Sequence, residues 1–123
     1  MKKKESALRE KSYKFAIRVV RLYQYLQKKD KGFELNRQIL KSGTATGALI
    51  WEAEYAQSDA DFISKCSISL KEANETTFWL SLLKDTDYIE EKMYHSLFSD
   101  CDEIISMLVS TVKTMKNKKT LSS

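Results

Sequence analysis

Lysine and arginine side chains recur near the start of the chain at a spacing that places them on one face of a helix. With one tyrosine among them, they follow steps of 3, 4, 3, 4 and 3: Lys11, Lys14, Arg18, Arg21, Tyr25 and Lys28. Arg37 and Lys41 add a pair four residues apart. Cationic groups displace counterions from a phosphate backbone, and an aromatic ring can stack on a base. The pattern predicts a nucleic-acid-binding face formed by Lys11, Lys14, Arg18, Arg21, Arg37 and Lys41.

The distribution of charge along the chain leaves other interpretations of this face open. Residues 1–41 carry 13 lysines and arginines against 4 acids, whereas residues 42–112 carry 4 against 13. In one alternative, the basic helix pairs with the acidic middle of a neighbouring subunit, so its charges serve assembly. In another, the face binds an acidic protein partner, and in a third it is only solvated.

The composition indicates an all-α protein. The 123 residues contain no proline and three glycines, which leaves few helix breakers. Apolar residues recur in steps of 3 and 4, and the first such series is Leu8, Ser12, Phe15, Val19, Leu22 and Leu26. We predict one domain over 1–123, an antiparallel up-down-up-down four-helix bundle with helices at about 5–29, 35–56, 59–84 and 88–116.

Local signals refine these helices. Gly43 and Gly47 lie within the second one, where glycine is costly, so they predict another helix packed unusually close. Ser58 with Asp61 reads as a capping box for the third helix, and Asp87 with Glu90 as a similar signal for the fourth.

The two ends of the chain are rich in lysine. We predict that 117–123 is a disordered basic tail and that the lysines of both ends cluster at one end of the bundle. These residues are Lys2, Lys3, Lys4, Lys113, Lys116, Lys118 and Lys119. In one interpretation, these lysines form flexible basic segments that bind nucleic acid or an acidic protein partner. In the other, they form a pair of solubilising tails.

Aromatic residues outside the predicted core favour self-association. Such residues are enriched at subunit interfaces because they offer large contact area at low entropic cost. We predict an oligomer interface containing Trp51, Tyr55, Phe78, Trp79, Tyr94 and Phe98.

Nothing in the sequence favours an enzyme. A di-metal bundle needs Glu-x-x-His on two helices, but the one histidine, His95, has Lys92 three residues before it. Cys66 and Cys101 lack the spacing of a zinc site or a disulfide framework. We therefore expect no catalytic residue, metal or cofactor. Without a signal peptide or a long apolar run, the chain is expected in the cytoplasm and not in a membrane.

Two segments carry a resemblance to a known family: S-G-T-A-T-G-A-L-I-W-E-A from Ser42, and S-D-A-D-F-I-S-K-C-S-I-S-L-K-E-A-N-E-T-T-F-W-L from Ser58. They resemble bacterial four-helix-bundle proteins once labelled ribosomal protein S23, some of them encoded in intervening sequences of 23S rRNA genes. Relatives typically read S-x-T-S-I-G-A-N in helix 2, so Ala45, Thr46 and Leu49 depart from the pattern.

The resemblance implies a four-helix bundle that assembles as a homopentameric ring. A related accessory protein of diversity-generating retroelements is a basic pentamer that binds nucleic acid and a reverse transcriptase, whereas most relatives have no established activity. We therefore expect a non-enzymatic accessory or scaffold protein that binds RNA or DNA weakly and without sequence preference. The alternative is a protein-interaction scaffold with no nucleic-acid role.

Overall fold

Four α-helices follow one another along the chain. The structure is a computed structural model and describes the backbone of residues 3–29 and 32–122, and the side chains of residues 6–29 and 32–118. The helices are α1 (Lys3–Lys28), α2 (Phe33–Ala53), α3 (Asp59–Asp85) and α4 (Glu91–Ser122). Each packs against two neighbours, and the α1–α4 seam is the least closely packed of the four.

Contacts between successive helices run in opposite chain directions. Gly43 of α2 lies opposite Val19 of α1, and Gly47, one turn later, lies opposite Ser12, which comes earlier in α1. The same reversal joins α2 to α3 through Ser42–Thr76 and Thr46–Ser69, and α3 to α4 through Ala73–Cys101 and Ser81–Tyr94. The predicted antiparallel four-helix bundle is confirmed.

The buried stripe of each helix follows the apolar spacing of the sequence, with one shift in α2. All six predicted core residues of α1 are buried, from Leu8 to Leu26. In α2, Ile50 and Asn36 are buried, whereas Leu49 and Leu35, which continue the steps of 3 and 4 through Ile39 and Thr46, are only half-buried. The glycines explain this shift. Because α1 packs against Gly43 and Gly47, the side of α2 that carries these glycines is buried.

The two helical glycines allow α1 and α2 to approach closely, as predicted. A methyl group at Gly43 would lie 2.7 Å from Val19 Cγ2, and one at Gly47 would lie 3.2 Å from the carbonyl oxygen of Ser12. Real side chains do not fit at 2.7 Å, so the cost of glycine within α2 is offset by this packing.

The α2–α3 seam contains a chain of buried hydroxyl groups. The Thr76 hydroxyl donates to Ser42 Oγ over 2.9 Å, and the Ser69 hydroxyl donates to the carbonyl oxygen of Thr46 over 2.7 Å. Thr46 donates its own hydroxyl to the carbonyl oxygen of Ser42. Each of these four side chains is fully buried, and the bonds offset the desolvation of their oxygens.

The predicted cap of α3 is present. The Asp61 N–H donates to Ser58 Oγ over 3.0 Å, while Asp61 Oδ2 accepts from the N–H of Gln57, one residue before the cap. Both bonds lie at the start of α3 and satisfy two backbone N–H groups there.

The predicted start of α4 is wrong, because Asp87 ends α3. Asp87 has a φ of 67°, and the Tyr88 N–H donates to the carbonyl oxygen of Leu83 over 2.9 Å. A left-handed residue followed by this backbone bond is a Schellman motif, which closes a helix C-terminus. The next helix begins at Glu91, and its first turn is closed by a bond from the Tyr94 N–H to the carbonyl oxygen of Glu90.

The end of α4 also differs from the prediction. The helix continues to Ser122, so the disordered tail predicted over 117–123 is wrong for the part of it that the structure describes. The lysines within this segment do not break the helix, because lysine is a good helix former and cations suit a helix C-terminus.

Candidate nucleic-acid interface

Arg18 is bound to α4 by both terminal nitrogens of its guanidinium group. Its Nη1 lies 2.6 Å from Asp100 Oδ2, and its Nη2 donates to Ser96 Oγ over 2.9 Å. A longer bond of 3.3 Å joins Nη1 to the carbonyl oxygen of Ser96. Because both terminal nitrogens are bound to α4 and the charge is matched by a carboxylate, Arg18 links α1 to α4.

Lys11 makes a second ion pair across the same seam. Its Nζ lies 2.9 Å from Glu103 Oε2 and 3.9 Å from Asp100 Oδ1. Asp100 thus lies near both Lys11 and Arg18. Acidic residues from the middle of the chain therefore neutralise these two cations within one subunit. The sequence alone had left open that such a pairing occurs between neighbouring subunits.

Lys14 stays open to solvent despite an ion pair. Its Nζ lies 3.0 Å from Glu10 Oε1, one turn earlier on α1, but the two side chains are 72% and 68% exposed. Exposed pairs of this kind are screened by water and exchange easily with other ligands. Lys14 therefore remains accessible to a phosphate.

Four basic residues remain, and we call them the free cation set: Arg21, Lys28, Arg37 and Lys41. All four are exposed, and none forms an ion pair with any residue that the structure describes. The sequence placed Arg21, Arg37 and Lys41 among six binding residues. Arg37 and Lys41 lie on α2, away from the α1–α4 seam that contains Lys11 and Arg18, whereas Arg21 lies beside that seam but forms no ion pair across it among the described residues.

The register of α1 and α2 brings the free cation set to one end of the bundle. Because Val19 lies opposite Gly43 and the helices are antiparallel, Arg21 is level with Lys41. One turn closer to the α1–α2 connection, Arg37 of α2 is level with Tyr25 of α1. Lys28 lies about one turn beyond Tyr25 on α1. The four cations lie in the half of the bundle that contains the α1–α2 connection.

Tyr25 lies beside this set, as the helix-1 spacing predicted. Its side chain is 37% exposed, and the Lys29 Nζ lies 4.4 Å from the centre of its ring. An exposed aromatic ring among cations is the arrangement that binds single-stranded nucleic acid.

The predicted cluster of terminal lysines is only partly visible. The side chains of Lys2, Lys3, Lys4 and Lys119 lie outside the described residues. Lys113, Lys116 and Lys118 are exposed on α4.

The six predicted interface aromatics are spread over the molecule. Trp51, Tyr55 and Phe78 are exposed by 44%, 79% and 58%. The other three, Trp79, Tyr94 and Phe98, are half-buried. Tyr94 contacts Phe98 and shares a hydrogen bond with the Ser81 hydroxyl, so it contributes to the packing of α3 against α4.

A stripe of exposed apolar residues on α1 was missed by the sequence analysis. Tyr13, Ile17 and Val20 are 55%, 43% and 37% exposed, and the Tyr13 ring lies 5.7 Å from that of Trp51. We call these four residues the outer apolar patch. Their spacing of 4 and 3 along α1 was a signal that could have been found, because it repeats a helical period outside the core stripe.

A comparison with protein-family models matches residues 4–110 to the 23S rRNA-intervening sequence protein family. The chain belongs to this family. The match extends across α1, α2 and α3 and over most of α4, and so includes every residue of the free cation set. The family resemblance seen in the sequence is confirmed.

Among solved structures, this family member resembles a protein of unknown function from Bacteroides thetaiotaomicron, assigned to the S23 ribosomal protein family. The two are 50% identical, the TM-score is 0.88, and the match covers 89% of this chain and 98% of the other. No functionally curated protein matches the chain. The comparisons establish the family and the bundle.

Both cysteines of this family member are free and buried. Burial, with added repulsion from Asp102 and Asp100, raises the pKa of the Cys101 thiol to about 12. The protonated thiol donates to the carbonyl oxygen of Ala73 over 3.2 Å. Cys101 is therefore an unreactive core residue at neutral pH.

Within the described part of the chain, no group of three or more histidine, cysteine or acidic side chains is placed to hold a metal ion. Of the helices within those residues, none is both long and apolar enough to cross a membrane.

Proposed function

We propose that this protein is a non-enzymatic accessory protein that binds nucleic acid weakly and without sequence preference. The observation that carries the proposal is the free cation set, which presents exposed positive charge from α1 and α2 at one end of the bundle and forms no ion pair within the described residues. Such groups bind phosphates through counterion release and carry no base readout. Lys14 extends this surface along α1, and Tyr25 adds a ring. The proposed setting is the cytoplasm, in keeping with two free thiols.

The proposed protein acts as a homo-oligomer, in the form of the pentameric ring that the family resemblance implies. The support is the outer apolar patch, whose four large side chains would lose contact with water at a subunit interface. Tyr55 and Phe78 add exposed aromatic surface elsewhere. Repetition of a weak phosphate site around a ring raises its overall affinity, because binding at one site raises the effective concentration at the others.

The experiment that tests the proposal compares two charge-reversal variants. Arg21→Glu/Arg37→Glu alters the free cation set, while Lys71→Glu/Lys92→Glu makes the same change in net charge at exposed lysines of α3 and α4. Binding of labelled RNA and DNA is followed by fluorescence polarisation. We expect the first variant to lose at least 10-fold in affinity and the second to retain most of it.

Equal losses in the two variants, or none in either, would contradict the proposed site. A protein that binds no nucleic acid even at low salt would favour the alternative, a protein-interaction scaffold. Size-exclusion chromatography with light scattering tests the oligomer separately. A Trp51→Glu/Ile17→Glu variant should dissociate, and a monomeric wild type would overturn that part of the proposal.

A further inference from the structure

A pocket lies between α1 and α4, next to the free cation set. Its volume is about 340 Å³, near the lower end of the range of roughly 300–1,000 Å³ for small-molecule sites. It opens at the least closely packed seam of the bundle. The residues that line it are Arg18, Arg21, Leu22, Tyr25, Met93 and Leu97.

The pocket combines an apolar interior with a charged rim. Leu22 and Leu97 belong to the buried core and are 4% and 3% exposed, and Met93 is half-buried beside them. Apolar and sulfur-containing walls of this kind accept a flat ring through dispersion contacts. These walls have few groups that could hydrogen-bond to the edge of the ring. They therefore do not distinguish one nucleobase-sized ring from another.

The two arginines of the pocket have different roles. The guanidinium of Arg18 is held by Asp100 and Ser96, so it forms a fixed wall whose charge is already matched. Arg21 is exposed and has no ion pair within the described residues. Arg21 is therefore the group that can bind an anion at the mouth of the pocket.

Tyr25 lies one turn after Arg21 and lines the pocket as well. Because Lys29 lies against the Tyr25 ring, the aromatic group is flanked by positive charge along α1. Lys28, of the free cation set, lies two turns from Arg21, about 10 Å along the helix axis. A strand following this side of α1 would meet cation, ring and cation in succession.

We propose that the α1–α4 pocket admits one unpaired nucleobase of a strand whose phosphates bind Arg21 and Lys28. This inference rests on the proposed function and adds a substrate class to it. A base in a duplex is stacked and paired on all sides, whereas a base in a single strand can turn out and stack on a tyrosine. The protein therefore prefers single-stranded nucleic acid, and it does so without distinguishing the four bases.

The test uses three labelled probes of one length: a single strand, a duplex, and a strand of abasic deoxyribose phosphates. The abasic strand keeps the phosphates and removes the bases. We expect the wild type to bind the single strand about 10-fold more tightly than either other probe, as stacking of one base provides. Tyr25→Ala should bind all three equally, and Tyr25→Phe, which keeps the ring, should retain the preference.

Ile68→Ala is the control, because Ile68 is an exposed apolar residue of α3 that lies outside both the pocket and the proposed subunit interface. It should retain the preference, and thermal melting by circular dichroism should show that both alanine variants are folded. If the wild type binds all three probes equally, or Tyr25→Ala keeps the preference, the pocket inference is overturned and the proposed function stands. If no probe binds, the proposed function itself fails.

Discussion

Arg18 of α1 and Asp100 of α4 form an ion pair of 2.6 Å across the α1–α4 seam, which is the least closely packed seam of the bundle. The two side chains are 38% and 34% exposed. This pair turns one of the predicted binding residues into a structural link. It also fixes one wall of the pocket between the two helices.

The Arg18–Asp100 pair is expected to contribute modestly to stability. In a double-mutant cycle with Arg18→Met and Asp100→Asn, we expect a coupling energy of about 0.5–1 kcal/mol that falls as salt is added. Urea unfolding followed by circular dichroism measures it. The matched cycle on Lys14 and Glu10, whose side chains are much more exposed, should give a smaller value. A coupling at Arg18–Asp100 no larger than that control would show that the pair does not hold the seam.

Gly43→Ala should destabilise the bundle although alanine favours a helix. The new methyl group would lie 2.7 Å from Val19, and relieving such overpacking costs roughly 1–3 kcal/mol. In a Val19→Ala background both γ-methyl groups are gone and the nearest remaining atom of that side chain is its Cβ at 3.2 Å, so the same change should cost much less or be neutral. Urea unfolding of the four proteins tests this. An equal cost of Gly43→Ala in both backgrounds would show that the Val19 contact is not the cause.

The buried hydroxyl pair of the α2–α3 seam should behave as a unit. Thr76→Val leaves Ser42 Oγ without its donor, which we expect to cost about 1–2 kcal/mol. Adding Ser42→Ala removes the unpaired oxygen, so the double variant should be less destabilised than the sum of the single ones. Thr114→Val is a control, since Thr114 is exposed and bonds only within its own helix among the contacts described. Additive effects of Thr76→Val and Ser42→Ala would contradict the pairing.

Cys101 should make stability depend on pH in the alkaline range. Its thiol has a pKa of about 12 when folded and an ordinary value of 9.0 when unfolded. Above pH 9 the unfolded chain therefore binds fewer protons than the folded one, and the free energy of unfolding falls with pH. Relative to Cys101→Ala, the wild type should lose roughly 1 kcal/mol per pH unit between pH 9 and about 10.5. A pH-independent difference would show that the folded thiol titrates normally.

The arrangement of the helices could be predicted because it depends on residues close together in sequence. The stripe from Leu8 to Leu26 and the pair of glycines in α2 are periodic within one helix, and a short connection forces the next helix to reverse. The start of α4 could not be read in the same way. Aspartate is a frequent N-cap residue, so the sequence suggested that Asp87 begins α4. In the structure, the left-handed backbone of Asp87 instead closes the C-terminus of α3.

The binding face was predicted only in part, because spacing along α1 does not reveal what lies across a seam. Lys11, Arg18 and Arg21 look equivalent in sequence. Only the packing of α4 shows that Asp100 and Glu103 neutralise the first two and leave Arg21 open. A signal for this pairing was present in the sequence. Ser96, Asp100 and Glu103 follow one another in steps of 4 and 3, so they lie on one face of α4.

The salt dependence of nucleic-acid binding tests the central claim most directly. Fluorescence polarisation with a labelled single strand, at salt concentrations of roughly 50–200 mM, gives Kd at each point. If the free cation set binds phosphates, log K falls linearly with log salt, with a slope near −0.7 for each phosphate neutralised, or about −2 to −3 for three or four contacts. A slope near zero, or no binding at the lowest salt, would contradict the account.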